Sequence, residues 1–246
     1  MMKKIIVIGA SSGIGQRVAA DFARRGFDVG IAARSEAPLR RLRDLYPDRI
    51  TYRIIDVTAD DAADRFYDLI ERMGGMDVLL LASGIGRINP QLDTAADIAT
   101  VDTNVGGFVR IVNAAYRYFR DTAPGRPGQI AVITSVAGTK GIGIAASYSS
   151  SKRFQSTYID ALDQLAHQEH VDVCFTDIRP GFIRTPMLAS RKPFPLEMAL
   201  DYAAPRIELA ILQRKRIAVI DSRWKVVVAL WKMIPRPLWE RIALRP

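Results

Sequence analysis

Residues 4–15 read KIIVIGASSGIG, and the fold turns on how that stretch is read. Lys4–Ile8 is a short apolar run rich in β-branched residues, the pattern of a buried strand. It runs directly into Gly9, Ser11, Ser12, Gly13, Ile14 and Gly15, after which Val18, Phe22 and Ala23 share one face of a helix. A strand that turns through glycines into a helix leaves backbone N–H groups unpaired beside the positive helix end, which favours a phosphate there. Glycine is needed where the backbone turns with positive φ or must approach a pyrophosphate closely. The spacing is G-x-x-x-G-x-G rather than the commoner G-x-G-x-x-G. Its place after a first strand and at the opening of a helix favours a dinucleotide turn over a tight turn without ligand.

Working outward, further strand-like runs are expected at Asp28–Ala32, Ile50–Ile55, Val78–Leu81, Gln129–Thr134, Asp172–Ile178 and Ile217–Ile220. Helical patterns separate them; Val105, Val109, Val112 and Tyr116, for example, share a face. Nearly continuous apolar strands are buried on both faces, as in a parallel sheet covered by helices. The alternation predicts an α/β fold, a doubly wound Rossmann-type parallel sheet of about seven strands in three α/β/α layers. The expected division is one domain over residues 1–222 and a basic, Trp-rich helical extension over 223–246.

The second strand ends Ala32-Ala33-Arg34. An acidic residue there would accept a hydrogen bond from an adenine-ribose 2′-hydroxyl. With none present, Arg34 can pair with a 2′-phosphate through its planar fork, which points to NADP(H) over NAD(H). A surface arginine that merely follows a strand is the plainer reading. Asp56, followed by Val57 at the end of the third strand, serves either the adenine edge or an ordinary turn.

Composition narrows the classes further. An apolar fraction of 49% with 25% charged residues fits a soluble globular chain. Cys174 is the single cysteine, so no internal disulfide framework exists, and its apolar neighbours mark a core residue. His167 and His170 flank a helix end, and no cluster has metal-ligand spacing. The start is too short in apolar residues for a secretory signal, which leads to a cytoplasmic expectation. Residues from Arg214 onward carry +7 of the net +9. All three tryptophans, Trp224, Trp231 and Trp239, lie in this tail. Such a segment is too short to span a bilayer. It could lie on an anionic inner membrane surface, cover the core beside the last strand, or contact a second subunit. No nucleic-acid partner is expected, because basic residues and aromatics do not form a groove elsewhere.

Residues 148–152 read YSSSK, with Ser135 in ITSVAG before them and Asn104 in VDTNVGG. Together with GASSGIG, these motifs resemble the short-chain dehydrogenase/reductase family of the classical type, over roughly residues 3–220. The resemblance implies a catalytic set of Asn104, Ser135, Tyr148 and Lys152, with Asn104 anchoring a water beside Lys152. It implies that Lys152 also holds the nicotinamide ribose, and that RPGFIRTP supplies Pro180, Gly181, Ile183 and Thr185 to the nicotinamide side. The AAR ending resembles the family's NADP(H)-preferring pattern. Two positions depart from the family: Ile8 replaces a frequent Thr. Leu81-Ala82-Ser83-Gly84 replaces Asn-Asn-Ala-Gly, where Ser83 and Gly84 would border the adenine.

Tyr148 and Lys152 lie one helical turn apart, on one face. A free phenol has a pKa of about 10, and an adjacent ammonium favours the phenolate. The expectation is a Tyr148 with a lowered pKa that exchanges a proton with a substrate oxygen. Ser135 would stabilise charge on that oxygen. The chemistry is reduction of a ketone to a secondary alcohol, or its reverse. The resemblance also implies a substrate lid near 187–206, where Met187, Leu188, Phe194, Leu196 and Met198 suggest an apolar cover and hence a hydrophobic substrate. Two alternatives remain: a 3-oxoacyl thioester reductase whose basic tail meets an acidic carrier protein, and a non-catalytic NADP(H)-binding regulatory or scaffold protein. The family also implies a homodimer or homotetramer, paired through helices at 93–122 and 147–168.

Overall fold

The computed structural model describes residues 3–185 and 194–242. Met187 and Leu188, expected in the lid, lie outside the described residues. In chain order the elements begin β1 (Lys4–Ile8), α1 (Gly13–Arg24), β2 (Asp28–Ala33), α2 (Glu36–Leu45), β3 (Ile50–Ile54), α3 (Ala62–Arg72) and β4 (Val78–Leu81). They continue with α4 (Thr94–Val101), α5 (Phe108–Arg117), β5 (Gly128–Ile133), α6 (Ala146–Glu169), β6 (Val173–Pro180), α7 (Leu200–Leu212), β7 (Ile217–Ile220), α8 (Ser222–Met233) and α9 (Arg236–Trp239).

Seven parallel strands pair in the order β3-β2-β1-β4-β5-β6-β7. Successive strand residues face opposite sides, so Ile5 and Val7 join one core while Ile6 and Ile8 join the other. The first core packs against α1, α2, α7 and α8 through Phe22, Leu39, Ile207 and Trp224. The second meets α3, α5 and α6 through Phe66, Ile111 and Ile159. Burying a side chain the size of Phe22 or Phe66 stabilises the fold by about 1.5–3 kcal/mol, and each is at most 1% exposed. The order reverses between β1 and β4, and that is where a doubly wound sheet opens a crevice beyond its strand ends.

One local outcome differs from the sequence reading. The helix expected over 93–122 is not continuous α-helix: α4 and α5 are joined by a π-helical turn, Asp102–Gly107, and a second such turn spans Tyr118–Thr122. Gly107 ends the first of these turns, and a Cβ there would meet Val57 at 2.5 Å, so the chain passes close to it. α8 takes one of the placements left open for it, against the core beside the last strand. Trp224 and Val228 are buried in the first core, and Val227 and Trp231 pack beside them.

Candidate active site

A cavity of about 450 Å³ opens at the crevice between β1 and β4. One end is lined by Gly9, Ser11, Ser12, Gly13, Ile14, Gly15, Arg34, Asp56, Val57, Ser83 and Gly84. Ser135, Tyr148 and Lys152 line the same cavity, as do Pro180, Gly181, Ile183 and Thr185. Every position the sequence proposed for a dinucleotide therefore borders one cavity, except Asn104, which stands directly behind the wall.

The glycine turn is shaped as a cradle. Gly9 has φ +94°, and a Cβ on it would meet the Ser83 backbone nitrogen at 2.5 Å. A Cβ on Gly15 would overlap the Gly9 carbonyl oxygen. Ser12 caps α1 without a side-chain hydrogen bond, and the first turn carries no acidic residue. Its N–H donors and the positive helix end are thus left for an anion, which fits the pyrophosphate of a dinucleotide. Ser83, in place of the family's Asn, leaves the backbone approach to Gly9 intact. Arg34 is exposed at the rim. Asp56 is largely committed to its own turn: Oδ1 accepts from Thr58 N at 2.9 Å and Thr58 Oγ1 at 2.8 Å. Burial works to raise its pKa, but these bonds, with the Arg34 charge, hold it lower than usual.

At the centre, Ser135 begins a short 3₁₀ turn (Val136–Thr139), its Oγ accepting from Ala137 N at 3.1 Å. That hydroxyl donates to Pro180 O over a long 3.4 Å. Tyr148 lies in the first turn of α6, and its phenol makes a polar contact with Ser135. Lys152, one turn on, is 4% exposed; its Nζ donates to Ile133 O at 2.9 Å and Gln155 Oε1 at 3.1 Å. The ammonium sits 5.9 Å from the centre of the Tyr148 ring.

The expected depression of the Tyr148 pKa is not what this geometry produces. Burial pushes the phenol up, only partly countered by Ser135. Burial also pulls Lys152 down to about 8, against the attraction of the Asp177 carboxylate. Both groups lose water on burial, and desolvation disfavours the charged form of each. Tyr148 is consequently a neutral proton donor at neutral pH. That suits delivery of a proton to an oxygen better than its removal.

Asn104 lies in the π-helical turn and is fully buried. Its Nδ2 donates to Ile85 O at 2.7 Å and Ser151 Oγ at 3.0 Å, and its Oδ1 accepts from Ile85 N at 2.9 Å. It thus pins the loop after β4 to α6. Its carbonyl accepts from Gln155 Nε2 at 2.8 Å. Gln155 therefore bridges Asn104 and Lys152, a role the sequence reading did not assign. The available signal was its position three residues after Lys152, on the same helical face.

Also unassigned were Phe182, Ile142 and Ile144, which line the remaining end of the cavity with Phe194, Trp224 and Trp231. Leu196 and Met198, expected in the apolar cover, pack toward the first core instead; Met198 is bonded to the Pro-Gly turn through Phe182 O at 2.9 Å.

With this geometry, residues 3–195 match the short chain dehydrogenase family. The chain belongs to that family. As a short-chain dehydrogenase it is an oxidoreductase, and its relatives agree. An uncharacterized oxidoreductase of Myxococcus xanthus is 30% identical, over 98% of this chain and 96% of its own. Among solved structures, the actinorhodin polyketide ketoreductase with NADPH is 26% identical, with a TM-score of 0.69 over 77% of this chain and 74% of that one. A short chain dehydrogenase from Burkholderia cenocepacia in complex with NADP superposes with a TM-score of 0.83 over 99% of this chain and 98% of that one, at 20% identity. That last likeness concerns the fold.

Proposed function

We propose that this short-chain dehydrogenase uses NADP(H) to reduce the ketone of a hydrophobic substrate to a secondary alcohol, or runs the reverse. The observation that carries the reading is the meeting of Ser135, Tyr148 and Lys152 in the same cavity as the glycine turn. The turn would hold the pyrophosphate, Lys152 the nicotinamide ribose, and Ile183 and Thr185 the carboxamide. Arg34 would pair with the 2′-phosphate, since the end of β2 offers no carboxylate to repel it. When bound, the reduced dinucleotide supplies a hydride to the carbonyl carbon.

The chain's own residues do the rest. Ser135 turns its weakly engaged hydroxyl from Pro180 toward the substrate oxygen and stabilises the charge developing there. Tyr148, kept protonated by burial, gives its proton to the same oxygen. Lys152 stands beside the phenol and supports its ionised form once the proton has left. Asn104 and Gln155 fix Lys152 and the loop after β4. The apolar walls exclude water and select a lipophilic substrate.

The test is NADPH consumption by the purified protein with a panel of ketones, run in parallel with NADH. Turnover that favours NADPH is expected; no consumption with any ketone would contradict the reading.

A second reading, a 3-oxoacyl thioester reductase, draws support from the likeness to a polyketide ketoreductase. Activity on an acyl thioester that falls with salt would favour it. The reading extends to a cytoplasmic homodimer or homotetramer with residues 1–222 as the catalytic domain. Among the described residues no helix is long and apolar enough to cross a membrane. Contact with an anionic membrane surface would use the outer face of α8, where Val226, Leu230 and Met233 are exposed among Lys225 and Lys232.

A further inference from the structure

The C-terminal segment is built into the cavity wall. Phe182, next to the Pro-Gly turn, stacks on Phe194 with ring centres 4.2 Å apart and planes 10° apart. From Phe182 a chain of edge-to-face contacts continues to Trp224 at 5.7 Å, Trp231 at 6.2 Å and Trp239 at 5.5 Å. Trp224 lies across Gly181, where any Cβ would overlap its indole, and its N–H donates to Leu196 O at 3.3 Å. The far end of the ladder is fastened to the loop between β5 and α6, the loop that leads into Tyr148. Trp239 Nε1 donates to Gly141 O at 2.8 Å, Lys140 Nζ donates to Ile234 O at 2.8 Å, and that ammonium lies 5.4 Å from the Trp239 ring. Ile142 and Ile144, just beyond the fastening, face the same cavity as Trp231.

We propose that α8 and α9 form a specificity strap, in which Trp231 is the residue that selects compact, ring-bearing lipophilic ketones over straight-chain ones and Trp239 holds it in register. This rests on the carbonyl-reductase reading and deepens it. The cavity of about 450 Å³ is shared between the dinucleotide and the substrate. Its walls at that end are aromatic and branched aliphatic, and edge-to-face packing leaves an indole available to a flat or alicyclic ring.

All three tryptophans lie in the strap, so tryptophan emission, excited selectively over the tyrosines, reports on it. The full chain is titrated with decalone and with a straight-chain decanone, and kcat/KM with NADPH is measured for both. Wild type should show a saturable emission shift with decalone and prefer it as substrate. Trp231→Ala should lose the shift and lower the decalone-to-decanone ratio about tenfold or more, while Trp231→Phe recovers part of it. Trp239→Phe, which deletes the bond to Gly141, should move the ratio the same way by less. An unchanged ratio in Trp231→Ala, or no decalone shift in wild type, overturns the proposal. Absence of any ketone turnover beside a saturable shift that Trp231→Ala abolishes would instead sink the carbonyl-reductase reading and leave the strap standing.

Discussion

At the dinucleotide end of the cavity the walls are largely backbone: the turn from Gly9 to Gly15, the Ser83–Gly84 loop, and the open first turn of α1. At the substrate end they are side chains, Ile142, Ile144, Phe182, Phe194, Trp224 and Trp231, gathered from segments about ninety residues apart in the chain. The first end binds what every dinucleotide shares, so its shape is fixed by a short local pattern. The second binds what distinguishes one substrate from another, so it is assembled by tertiary packing. Tyr148 and Lys152 stand at the junction.

The sharpest way to break this comparison is at the backbone end. Gly15→Val should abolish measurable NADPH binding in a fluorescence titration, because its side chain would occupy space held by the Gly9 carbonyl. By contrast, Ser11→Ala in the same turn should leave binding nearly unchanged. Next in size, Arg34→Glu should weaken NADPH about tenfold to a hundredfold while sparing NADH, since it replaces a charge-assisted pair with repulsion. Equal losses for both dinucleotides would mean that Arg34 does not read the 2′-phosphate.

The junction makes a subtler prediction. Lys152 titrates at about 8 in the folded protein against an ordinary 10.5. Between those values the unfolded chain binds more protons than the folded one, so the Lys152 contribution to stability rises with pH there and is least favourable below the window. Relative to Lys152→Met, the wild type should gain about 3 kcal/mol across that interval, read from denaturant unfolding without nucleotide. A pH-independent difference between the two would show that the ammonium is not desolvated.

The unequal legibility of the sequence follows the same division. KIIVIGASSGIG gave the crevice and its ligand class because strand, turn and helix are contiguous. Strand positions were readable because double-sided burial leaves unbroken apolar runs such as Ile5–Ile8. The π-helical turn at Asn104 was not readable: helical spacing on either side conceals one wider turn, at whose end Gly107 passes close to distant Val57. The tryptophans stood out as a basic, aromatic tail. Their inward orientation was hidden, since a stripe that lines a cavity and one that meets a membrane share the same spacing. The direction of the Tyr148 shift was misread because adjacency of charge is visible in sequence, whereas desolvation belongs to the folded interior.

The central claim is that Tyr148 supplies the proton in a site that otherwise assembles without it. The direct measurement compares Tyr148→Phe with wild type for NADPH affinity and for ketone turnover. The account predicts unchanged affinity with turnover reduced about a thousandfold or more. Full turnover in a variant that still binds NADPH would contradict it.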